Sequence, residues 1–165
     1  ARTTLQADQF TILRYTNQSA RLFGIDVSGA TKLGHTHLGD FAVRGLLSVT
    51  DGKNRDTGFD LYNIMPLNAK LVFNHQYQHW DNNLELVMVK EKDDISEMRN
   101  EIKTPGYGLV NLRSGYQWTK ARLDFSIDNL FDKKYYLPLG GAYVGQGTTM
   151  TLANNNLDLG YVTLW

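Results

Sequence analysis

The 165-residue sequence has no cysteine, which excludes disulfide staples, zinc-thiolate sites and cysteine nucleophiles. It has no excess of either charge: 17 Lys+Arg face 17 Asp+Glu, so electrostatics give no reason to expect a nucleic-acid partner. No apolar run approaches the ~18 residues of a spanning helix. That rules out helical membrane spans but not strands that are polar on alternate residues. A Gly-rich phosphate cradle, a G-x-S-x-G elbow and a His-paired nucleophile are all missing, so no enzyme is expected, and no cofactor. The chain opens on Ala1 with neither an initiator Met nor a charged-then-apolar leader, and reads as a processed or excised piece. Helical periodicity is absent throughout.

What the chain has instead is alternation. Ala121, Leu123, Phe125 and Ile127 alternate with Arg122, Asp124, Ser126 and Asp128 at strict period two, the signature of a strand with one apolar and one polar face. Just before, Val110, Leu112, Tyr116 and Trp118 alternate with Asn111, Arg113, Gly115 and Gln117, broken on the apolar side by Ser114. Phe41, Val43, Gly45, Leu47 and Val49 oppose Ala42, Arg44, Leu46, Ser48 and Thr50. Leu67, Ala69, Leu71, Phe73 and Tyr77 likewise oppose Asn68, Lys70, Val72, Asn74 and Gln76. Leu84, Leu86 and Met88 lie opposite Glu85, Val87 and Val89, and Phe23, Ile25 and Val27 opposite Gly24, Asp26 and Ser28. Seven strands are expected: one within Phe10 to Ala30, then 40–50, 66–79, 82–90, 107–118, 120–130 and 156–165. Links at 80–81 and 119 are minimal and 31–39 somewhat longer, whereas 51–65, 91–106 and 131–155 are long, as in barrels with short turns at one rim and long loops at the other.

A soluble sandwich or lipocalin turns its apolar face inward, and a membrane barrel turns it outward. Phe41, Tyr77, Tyr116, Trp118 and Trp165 fall on apolar faces at strand ends near the short-turn rim, the arrangement of an interfacial aromatic girdle, though aromatics are common in any strand. Seven antiparallel strands cannot close without a parallel seam, and an open curl leaves two unpaired edges, which lipid does not tolerate. The fold class expected is therefore all-β: an antiparallel transmembrane β-barrel segment, part of a larger barrel.

Asn129-Leu130-Phe131-Asp132-Lys133-Lys134-Tyr135-Tyr136 resembles the N-L-F-D-K-x-Y-Y signature near the C-terminus of TonB-dependent outer-membrane receptors. Tyr15 to Asp26 resembles the same family's Y-x-N-x-x-x-A-x-x-x-G-x-E/D strand, with Asp26 in the acidic place. The last octet, Asp158 to Trp165, resembles the barrel-assembly signal, with Gly160, Tyr161 and Trp165 at its marked positions. The resemblance implies the last third of a plugged barrel of about 22 strands in the bacterial outer membrane. It further implies active transport of a ferric siderophore or similar metal chelate, TonB acting through N-terminal regions that this sequence lacks, and contact with the barrel-assembly machinery and membrane lipid. No plug domain is encoded in residues 1–165.

On that reading Trp165 lies at the periplasmic rim and the long loops are extracellular. Lys53, Arg55, Lys90, Lys92 and Arg99 would then attract an anionic chelate, and Tyr107, Tyr135, Tyr136 and Tyr143 would stack on its planar groups. The competing view makes those cations solvated loop charges and places Tyr135 and Tyr136 in the outer interfacial belt. Arg44, Lys70, Glu85, Arg113, Arg122, Asp124 and Asp128 would line a wet lumen, with Arg113, Arg122 and Asp124 suited to an ion-pair ladder. His35 and His37, and His75 and His79, are not read as a metal site, and the acidic run Asp93-Asp94 is read as solvated. Two other functions stay open: a small self-standing outer-membrane barrel for adhesion or structure, and a soluble ligand-binding β-barrel.

Overall fold

The computed structural model describes residues 17–96 and 101–139, and the backbone of 142–143, 149–150 and 158–159. The expected strand portion before residue 17, Arg99, the Tyr143 side chain, Gly160, Tyr161 and Trp165 lie outside the described residues.

Six long strands follow one another as an antiparallel meander: β1 Ala20–Thr36, β2 Gly39–Asn54, β3 Asn68–Tyr77, β4 Trp80–Val89, β5 Tyr107–Gln117 and β6 Arg122–Asp128. Two short pieces, β7 Ala142–Tyr143 and β8 Thr149–Met150, pair with each other, and β9 Asp158–Leu159 adds to β6. Among the described residues β1 pairs with β2 alone, so the sheet is an open wall.

Directly opposed residues of an antiparallel pair share a face, so the register tests the alternation. Val43, Phe73, Leu84, Leu112 and Ile127 are cross-strand partners in one unbroken row over five strands. The neighbouring row of Arg44, Val72, Glu85 and Asn111 belongs to the other face. Every strand therefore presents its apolar set on the same side as its neighbours do. No dry core lies beneath that side: Val89 is the sole buried hydrophobic side chain among the described residues, while Phe125 is 46% and Leu123 38% exposed. A soluble fold that left this much contiguous apolar surface in water would aggregate.

The strand ends differ from expectation in four places. β1 runs on to Thr36, and its link to β2 shrinks from 31–39 to His37 and Leu38. A register shift between Lys32 and Gly34 interrupts the alternation there and hides the strand from a period-two search. Gly39 begins β2 at φ 119°, where an added Cβ would stand 2.2 Å from the Gln76 carbonyl oxygen, so only glycine fits. The β3–β4 turn falls at Gln78 and His79 rather than 80–81, with Gln78 at φ 53°, which makes Trp80 the first residue of β4. Between β5 and β6 the link is 118–121 rather than one residue, closed by Trp118 N–H donating to the Ala121 carbonyl at 2.8 Å. β2 likewise continues to Asn54, since β1 pairs with it to the end.

Candidate functional site

The apolar face carries its aromatics near the short-turn rim. Trp80 meets Tyr116 edge-on at 4.8 Å, Tyr116 meets Trp118 at 4.5 Å, and Phe41 stacks on His75 at 4.6 Å. Polar residues intrude on this face at the same level and satisfy one another. Ser114 Oγ donates to Asn82 Oδ1 at 2.6 Å, Asn82 Nδ2 approaches His75 Nδ1 at 3.3 Å, and His75 Nε2 donates to the Leu38 carbonyl at 2.8 Å. His75 thereby links β3 to the β1–β2 turn at Leu38 and to Asn82 of β4. Trp80 and His75 belong to this band although alternation alone did not single them out.

The opposite face is concave and ionic. A trough of about 620 Å³ is lined by Ser28, Arg44, Lys70, Asn83, Glu85 and Arg113. A second, of about 530 Å³, is lined by Asp81, Arg113, Arg122, Asp124 and Asp128 nearer the short-turn rim. All seven polar-face residues singled out from alternation thus border these troughs. Lys70 Nζ lies 3.1 Å from Glu85 Oε2, Arg44 Nε donates to Asn74 Oδ1 at 3.3 Å, and Arg113 stands 3.6 Å from Asp128. Arg122 pairs with Asp124 at 2.7 Å and reaches across β5 toward Asp81 at 3.9 Å.

That reach depends on Gly115, the residue between them in the row. A Cβ there would come within 2.5 Å of an Arg122 guanidinium nitrogen and 2.6 Å of Asp124 Oδ1. Both atoms end flexible side chains, so Gly115→Ala is expected to move the ion pair rather than the backbone and to cost about 1 kcal/mol or less. Denaturant titration of the full-length protein checks this; a loss of several kcal/mol would mean that the backbone itself had been displaced.

A hydrogen-bond relay leads from the ionic face into the Asn129–Tyr136 segment. Glu85 Oε1 accepts from Asn111 Nδ2 at 2.8 Å, and Asn111 Oδ1 accepts the Asn129 backbone N–H at 2.8 Å. The Asn129 side chain then accepts from Lys133 N–H at 2.9 Å and donates to the Lys133 carbonyl at 3.0 Å. Asn129 sits at φ 55°, a left-handed conformation that asparagine tolerates. Asn111, only 8% exposed, anchors the whole motif, and alternation marked it simply as one more polar residue.

At the long-loop rim Tyr107 and Tyr135 bring their rings to 4.6 Å. Tyr107 opposes Val89, which opposes Asn68, which opposes Ser48, so the pair sits at the mouth of the ionic face. Tyr135 therefore does not belong to an outward belt. Tyr136 is half-buried nearby, Lys53 is 3.9 Å from Asp60, and Arg55 and Lys90 are exposed. Lys92 corrects the expectation of a chelate-attracting cation: it is 2% exposed, with its Nζ 2.5 Å from Glu101 Oε1. Among the described residues no three His, Asp or Glu side chains gather as a metal site.

A wall of antiparallel strands with a continuous outward apolar face, an aromatic band at one rim, an ionic concave face and long loops at one end only is the wall of a transmembrane β-barrel. The family described as "TonB dependent receptor-like, beta-barrel" matches residues 2–130, and the chain belongs to it. This makes it a barrel part of a bacterial outer-membrane protein. A solved structure, "Copper transporter OprC", shares the fold with a TM-score of 0.74 at 23% identity, over 84% of this chain. The chain spans 23% of that protein's length. A search of curated proteins returned no match. In such barrels short turns face the periplasm and long loops the exterior.

Proposed function

We propose that the chain supplies the C-terminal strands and extracellular loops of a receptor that takes up a ferric siderophore or similar metal chelate across the outer membrane, energised by TonB through a plug domain encoded elsewhere in the full protein. The observation that carries this reading is the Tyr107–Tyr135 pair, held at 4.6 Å where the extracellular mouth meets the ionic face. Two phenol rings there offer flat surface to a planar chelator, Lys90 follows Val89, the strand partner of Tyr107, with its charge exposed, and Arg55 adds an exposed positive charge on the β2–β3 loop. Arg44, Lys70, Glu85, Arg113, Arg122, Asp124 and Asp128 then line the lumen beneath, facing the plug. Lys53, Arg99, Tyr136 and Tyr143 complete the set of proposed loop contacts. A metal cargo is in keeping with the description of the similarly folded OprC as a copper transporter.

The test is accumulation of radiolabelled metal by cells whose only such receptor is the full-length protein. Ferric catecholates, ferric hydroxamates and ionic copper are offered separately, with and without TonB. TonB-dependent uptake of a ferric chelate is expected, and Tyr135→Ala should weaken its binding roughly three- to tenfold, the worth of one aromatic contact. Uptake of ionic copper with no chelate accepted would overturn the siderophore reading.

A further inference from the structure

The Lys92–Glu101 pair is built like a knot between loops. Glu101 Oε1 receives Lys92 Nζ at 2.5 Å and the Asn63 backbone N–H at 2.9 Å, and Glu101 Oε2 receives the Ser96 N–H at 2.8 Å. Lys92 Nζ also donates to the Pro138 carbonyl at 3.1 Å. One carboxylate and one ammonium therefore hold the β2–β3 loop through Asn63, the β4–β5 loop through Ser96 and both charged residues, and the segment after β6 through Pro138. The ammonium end is sealed: the Lys92 side chain is 1% and the Glu101 side chain 7% exposed. Backbone bonds between Lys92 and Thr104, at 2.8 and 3.3 Å, fix the stem from which Lys92 projects.

We propose that this buried clamp makes the three extracellular segments a single mechanical unit, so that they leave and regain their closed arrangement together. The physical reason is the cost of half-breaking it. Two desolvated charges are tolerated only while their partners are all in place, and removing one partner leaves an unpaired charge or donor in a dry site. Partial states in which one segment swings away alone are therefore penalised, while a concerted opening lets water reach both charges at once. Packed elements with this property switch between discrete arrangements rather than bending gradually. The inference does not depend on the identity of the cargo.

Hydrogen exchange followed by mass spectrometry on the full-length receptor in detergent tests it in two ways. In the wild type under conditions where each opening event leads to exchange, peptides covering 61–65, 92–96 and 136–139 should convert with one common rate constant. Rates that differ severalfold among the three would overturn the proposal. In Lys92→Met, exchange in 61–65 and 136–139 should quicken at least tenfold although neither segment is altered, and Glu101→Gln should show the same pattern more weakly. Acceleration confined to 91–104 would also overturn it. Heat-modifiable migration on gels verifies that each variant keeps a folded barrel, and the wild-type measurement stands even if Lys92→Met does not fold.

Discussion

Arginine in place of Leu84 is expected to destabilise the folded receptor by about 2–4 kcal/mol, the cost of a lipid-facing cation near the middle of a barrel wall. Leu84 lies at the centre of the row Val43, Phe73, Leu84, Leu112 and Ile127, one same-face position from the aromatic band, and it is 37% exposed. Its charged replacement is relieved by snorkelling toward the polar residues of the aromatic band or by local thinning of the bilayer. Val72→Arg is the matched control. Val72 stands on the ionic face between Arg44 and Glu85, and arginine there should change stability by no more than about 1 kcal/mol. Urea midpoints of the full-length receptor refolded into liposomes distinguish the two. A reversed order, with Val72→Arg the costly change, would put the apolar face inside and dissolve the barrel assignment.

Asn129→Ala is expected to cost about 2–4 kcal/mol through three effects that act at one residue. Alanine at φ 55° carries roughly 1–2 kcal/mol of left-handed strain, and both side-chain bonds to Lys133 vanish from a position only 6% exposed. Asn129→Gly separates these effects, because glycine accepts the backbone angle and still loses the bonds. The glycine variant should therefore recover about 1–2 kcal/mol of the alanine loss. Equal losses in the two variants would show that strain has no part. The same unfolding titration reads both, and increased proteolysis after Lys133 would report the loosened turn directly.

Much of the wall was legible because strand alternation is a local property. Each residue's face follows from its neighbours two positions away, so Arg44, Lys70, Glu85 and Arg122 were separable from Leu71, Leu84 and Phe125 without knowing any partner strand. The strand ends were less legible. Asp51 to Asn54 has the composition of a turn, yet β1 supplies hydrogen-bond partners as far as Ala20 and keeps those residues extended. Trp80 was lost to the turn because nothing in Gln78-His79-Trp80-Asp81 announces which two residues take the corner. Lys92 misled for a different reason. In composition it is one of several cations in a charged loop, and its burial depends on Asn63, Glu101 and Pro138, which meet only after three loops have folded onto one another.

From the amino-acid order alone came the two-faced strands, their approximate number, the unequal connections and the family motif, since each of these is written in residues a few positions apart. The folded chain decided the exact turns, the register that joins one apolar row across five strands, the placement of Tyr135 beside Tyr107 at the mouth, and the sealing of Lys92. These depend on contacts between residues up to several tens of positions apart. Such contacts form only when the backbone pairing has already chosen which segments lie together, and no local pattern encodes that choice.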